Sequence, residues 1–154
     1  MTYVGGVLRG AAAGAAGVTA LNAATYLDML LRARPASEAP QKLVETVADD
    51  AGVDIPGGEE ERQNRLQALG PLAGLLTGVA VGAVAGGLRA AGVRLPTAVA
   101  GPLLGLAAMV SADLPLATTG VSNPRTWSAP DWAADALPHL AYGLVTHTVL
   151  VATD

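Results

Sequence analysis

Four long stretches of this 154-residue chain carry no charged residue: those between Arg9 and Asp28, Arg65 and Arg89, Arg94 and Asp113, and Asp135 and Asp154. Three hold 18 residues and one holds 23. A bilayer core about 30 Å thick is crossed by about 20 helical residues, at about 1.5 Å each. A helix covering a soluble core usually keeps one solvated polar face, and four uncharged runs of this length fit lipid better. The chain therefore reads as an all-α polytopic membrane protein, a four-transmembrane-helix bundle in a single membrane domain over 1–154. Spans are expected at about 4–31, 66–90, 95–112 and 132–152, with a water-facing segment at 32–65.

Composition agrees. The chain is 51% hydrophobic and 14% charged, with mean hydropathy +0.42, where soluble domains carry about 25% charged residues. It has no Phe, three Tyr and two Trp, too few rings for an ordinary soluble core. Tyr3, Tyr26, Trp127 and Trp132 fall near expected span ends, the headgroup level that amphipathic rings favour. Arg9 followed by an apolar run has the outline of a signal peptide, and it is read as the first span.

Several function classes drop out. A net charge of −4 with no basic stripe argues against a nucleic-acid partner. With no Cys there is no disulfide, thiolate chemistry or Cys-bound metal. No Walker loop, GxGxxG, HExxH or GxSxG motif occurs, so neither an enzyme nor a cofactor is expected.

In the water-facing segment, Arg34-Pro35 gives an extended exit from the first helix. Ser37 is placed as the N-cap of a short amphipathic helix through Val47, with Leu43, Val44 and Val47 as its apolar stripe. Glu59, Glu60 and Glu61 suit the positive N-terminal end of the next helix, which is expected to begin in water. Residues 114–131, rich in Pro, Ser, Thr and Asn, read as a loop. Six Lys and Arg in the first and third connections, against three on the other side, favour a cytoplasmic first loop in a multi-pass plasma (inner) membrane protein.

The strongest motif is a run of small residues. Gly70, Gly74, Gly78, Gly82 and Gly86 recur every four residues in the second span. Gly6, Gly10 and Gly14 repeat the spacing in the first, and Thr97, Gly101 and Gly105 in the third. Such glycine-zipper faces let helix backbones approach closely in lipid. The partner face lies either in the same chain or in another copy or subunit.

The candidate polar path lies mainly on the fourth span. Asp131, Asp135, His139, Gly143 and His147 are four apart, with Tyr142 three beyond His139. They share a broad helix face, and Asp135 can reach His139. Asn22 and Asp28 are the candidates in the first span, Asp28 with Arg32 as a partner one turn on. Ionisable residues inside a membrane face the bundle interior or a wet cavity. The imidazoles lie about 12 Å apart along one helix axis, too far for one ion, so no metal site is expected. Asp113, at the end of the third span, is read as interfacial.

Asn22-Ala-Ala-Thr-Tyr-Leu-Asp28 followed by Arg34-Pro-Ala-Ser37 resembles the first helix and exit of small uncharacterised actinobacterial polytopic membrane proteins. The stretch from Thr119-Gly-Val to Thr126-Trp, then Asp135, His139 and Tyr142-Gly143, is similar to the last loop and helix of YagU-type inner-membrane proteins. The long acidic first loop departs from the latter pattern. Both resemblances imply a membrane helical bundle and neither implies a reaction. Two function classes follow: a structural or interaction subunit packed through Gly-rich faces, in contact with lipid and other subunits or copies, or a channel or transporter for protons, ions or small solutes along the polar face of the fourth helix.

Overall fold

The computed structural model describes residues 2–154. Five α-helices and no strand occur among them: α1 (Tyr3–Arg32), α2 (Ala39–Asp50), α3 (Glu59–Ala90), α4 (Thr97–Thr118) and α5 (Ala129–Ala152), with a 3-10 turn at Pro124–Thr126. Helices α1, α3 and α4 are long and apolar enough to cross a membrane. Helix α5 falls outside that set, because Asp135, His139, Tyr142, Thr146, His147 and Thr148 interrupt its apolar run.

Local chemistry sets the ends. The Thr2 hydroxyl accepts from Gly5 N–H at 3.2 Å to open α1, which stops where Ala33 turns left-handed (φ 50°). The Glu61 carboxylate accepts from Gly58 N–H at 3.0 Å to open α3. Ser128 and Asp131 cap α5 reciprocally: Asp131 N–H donates to the Ser128 hydroxyl at 3.4 Å and Ser128 N–H to the Asp131 carboxylate at 2.9 Å. That hydroxyl also donates to the carboxylate, which holds Asp131 below the usual carboxylate range.

Two boundaries correct the expectations above. Helix α2 has Glu38, not Ser37, at its N-cap and continues to Asp50. Helix α4 runs through Pro115 to Thr118, into a stretch read as loop. The Thr118 and Thr119 hydroxyls donate back to the carbonyls of Leu114 and Pro115, and Gly120 at φ 76° makes the stop. As expected, α3 begins well before its apolar stretch.

The four long helices run alternately up and down. Helix α1 packs against α3 on one side and α5 on the other, and α4 packs on α5. Helices α3 and α4 touch much less, leaving an open apolar groove lined by residues such as Val81, Ala85, Leu104 and Ala107. The core is thin and made of small residues, with Ala13, Val18, Ala85, Ala108 and Tyr142 among its buried members. Large apolar side chains point outward instead: Leu30 and Leu31 are each 76% exposed and Leu8 65%. A surface of that kind is at home against lipid chains rather than water. Helix α2 lies against the N-terminal part of α3, where Arg62 pairs with Glu45 at 2.5 Å.

Candidate functional site

The glycines meet inside the chain. A Cβ on Gly82 would lie 2.6 Å from the Gly14 Cα, one on Gly86 2.7 Å from the Gly10 Cα, and one on Gly6 2.7 Å from the Gly86 carbonyl oxygen. Helices α1 and α3 therefore pack backbone to backbone. A second contact of this kind joins α4 and α5. There a Cβ on Gly105 would lie 2.6 Å from the His139 carbonyl oxygen, one on Gly101 2.6 Å from Leu144, and one on Gly143 2.9 Å from the Gly105 Cα. Gly17 makes room on α1 for Tyr142 and Thr146, a contact that its single, off-register position in the sequence did not signal.

The five-glycine run of α3 is not one groove. Gly78, Gly82 and Gly86 face the bundle, Gly78 against Val18 and Tyr142. Gly70 instead receives α2: a methyl on Gly70 would lie 2.9 Å from the Gln41 backbone nitrogen. Gly74 faces open space. The cause is helical drift: each four-residue step turns about 40°, so Gly70 and Gly86 point about 160° apart.

The polar residues of α5 separate into two groups. Toward α1 and α3, Tyr142 and Thr146 are fully buried, and Tyr142 donates to the Gly78 carbonyl at 2.6 Å. Toward α4, the His147 ring lies 3.1 Å from the Thr97 hydroxyl. Near the other end, His139 Nδ1 donates to the Asp135 carbonyl oxygen at 2.8 Å and sits 3.3 Å from its carboxylate. A carbonyl can only accept, so Nδ1 carries the hydrogen. Between the two histidines the α4–α5 seam is closed by Gly143 against Gly101 and Gly105, at a separation too small for water.

One placement differs from the sequence reading and two add partners to it. Asn22 lies exposed on the outer side of α1. Asp28 is tied by Arg32 at 3.2 Å, the partner expected one turn on, and also by Arg34 at 2.5 Å. Asp113, read as interfacial, lies beside Asp135 and near His139. A signal for this was present: Asp113 and Asp135 stand equally far on either side of Pro124, and equidistant residues of an antiparallel helical hairpin come level. Among the described residues no group of three His, Asp or Glu side chains is disposed to hold a metal ion.

At the opposite end of the bundle, one Asp154 carboxylate oxygen accepts from Arg89 at 2.8 Å and Arg94 at 2.9 Å. Burial alone would push this carboxyl up, but the two guanidiniums hold it below the usual range.

Comparison with protein-family models, curated proteins and solved structures finds no match to this chain.

Proposed function

We propose that the protein is a four-span protein of the plasma (inner) membrane, with α1, α3, α4 and α5 as its spans and α2 on the cytoplasmic side, serving as a structural or interaction subunit. The carrying observation is the closed seam at Gly101, Gly105 and Gly143 between His139 and His147. A dry backbone contact suits a rigid bundle and not a water-filled pore along that line. The glycine-zipper faces are used within the chain, so contacts with another copy or subunit fall to the exposed apolar faces, such as Tyr26, Leu27, Leu30 and Leu31 on α1.

Alkaline carbonate washing and nanodisc reconstitution test this reading. The protein should stay in washed membranes, and it should co-purify from mild detergent with a stoichiometric partner or as a defined oligomer. Release to the soluble fraction would overturn the membrane reading, and a solitary monomer would overturn the subunit reading.

A second reading has its own support. Asp113, Asp135 and His139 cluster on α4 and α5, two of the proposed spans, and ionisable groups inside a membrane are costly and usually functional. A carrier of protons, ions or small solutes would use this cluster. Proteoliposome flux abolished by His139→Gln, with the fold retained, would favour it.

A further inference from the structure

The α4–α5 hairpin sets two carboxyls side by side. Gly101 meets Leu144 and Gly105 meets His139 and Leu140. Two turns further along α4, Asp113 accordingly comes level with the early turns of α5 and lies against Asp135. The Oδ2 atom of Asp135 is enclosed and has no hydrogen-bond donor. Two carboxylates sharing one partly buried site do not readily both ionise, and an enclosed acceptor without a donor is costly.

We propose that Asp113 and Asp135 form a proton-binding site, in which one proton is shared by the two carboxyls and exchanged through His139. The inference stands independently of the subunit reading. One proton removes both penalties: a protonated Asp113 carboxyl donates to Asp135 Oδ2, and the pair carries a single negative charge. His139 supplies the exchange group. Its Nδ1–H is engaged by the Asp135 carbonyl, and Nδ1 lies 3.3 Å from the Asp135 carboxylate, so a proton gained at Nε2 is matched by release of the Nδ1 proton to the carboxyl pair, and the reverse steps return it.

Among the described residues the surroundings offer no competing cation. The charged groups acting on Asp113 are Asp135 and His139. From α1, Arg32 and Arg34 are engaged by Asp28, Arg32 also by the Pro130 carbonyl. Helix α3 has no charged residue between Arg65 and Arg89. On α5, Asp131 is held by Ser128, and His147 lies beyond the Gly143 seal. Asp113 and Asp135 sit about 8 Å inside their helix ends, at about 1.5 Å per residue. With Gly143 closing the far side, the proton enters and leaves from the end that carries the first loop.

Infrared difference spectroscopy of the full chain in nanodiscs tests the site, with 13C-labelled aspartate to separate Asp from Glu bands. At neutral pH one protonated aspartic carboxyl per chain is expected. It should shift in D2O and convert reversibly to carboxylate as pH rises. Asp113→Asn should abolish the band while its amide still donates to Oδ2, and Asp135→Asn should abolish it too. Asp28→Asn should leave it intact. The wild-type titration needs no substitution and stands even if a variant misfolds. Absence of the band at neutral pH, its survival in both variants, or its displacement by sodium, which would mark the pair as a cation site, overturns the proposal.

Discussion

Tyr142 on α5 donates its hydroxyl hydrogen to the carbonyl oxygen of Gly78 on α3, at 2.6 Å. That carbonyl lies inside a continuous helix, so the phenol uses its second lone pair. The ring is completely buried, and Gly17 of α1 leaves the space it occupies. One side chain thus fixes three helices at one level.

Tyr142→Phe keeps the ring and removes the bond. A net cost of about 1 kcal/mol is expected, since the carbonyl keeps its helical partner. Gly17→Ala should cost more, because its methyl would lie 2.7 Å from a ring carbon of Tyr142. Equilibrium unfolding in bicelles measures both. Equal stability of Tyr142→Phe and wild type would show that the hydrogen bond contributes nothing.

Gly82→Ala and Gly74→Ala make the same chemical change on one helix. At Gly82 the methyl meets the α1 backbone, and a loss on the order of 2 kcal/mol is expected from overpacking. At Gly74 the methyl meets nothing, and the higher helix propensity of Ala should stabilise by up to about 1 kcal/mol. Thermal unfolding of the two variants side by side checks the contrast. Matching shifts would mean that the close α1–α3 approach is not what those glycines serve.

The Asp154 pair predicts an acid-sensitive end. Its carboxyl titrates lower in the fold than the unfolded value of about 3.9. The contribution is therefore fully present above about pH 4 and is lost as pH falls through the lower folded value. Asp154→Asn should be less stable than wild type near neutrality, and the gap should close in acid. A gap independent of pH would remove the ion pair as its cause.

Much of the architecture was legible because charge placement limits where a span can lie. The first span expected at 4–31 nearly coincides with α1 (Tyr3–Arg32), although Arg9 and Asp28, which bound its uncharged run, both lie inside the helix, and Ala90 ends α3 where the second span was expected to end. The end of α4 was not legible. Pro115 and the threonines after it carry loop composition, yet Thr118 and Thr119 bond back to helical carbonyls. In the site, Asp135 and His139 were readable from their spacing on one helix. Asp113 was not, because its neighbours belong to α5 and only the hairpin symmetry about Pro124 joins them. The glycine period gave the right faces near Gly82 and the wrong one at Gly74, since periodicity alone does not say where drift turns a face away from its neighbour.

Helix α3 is 32 residues long, about 48 Å at the usual rise, against a hydrocarbon layer of about 30 Å. In the proposed bilayer placement its first turns stand clear of the lipid like a mast, with α2 lashed to them through Arg62 and Gly70. Such a rod responds to bilayer thickness by changing its tilt. In that placement the backbone contact of α1 with α3 would make the two lean together, and the mast would carry α2 sideways over the headgroups.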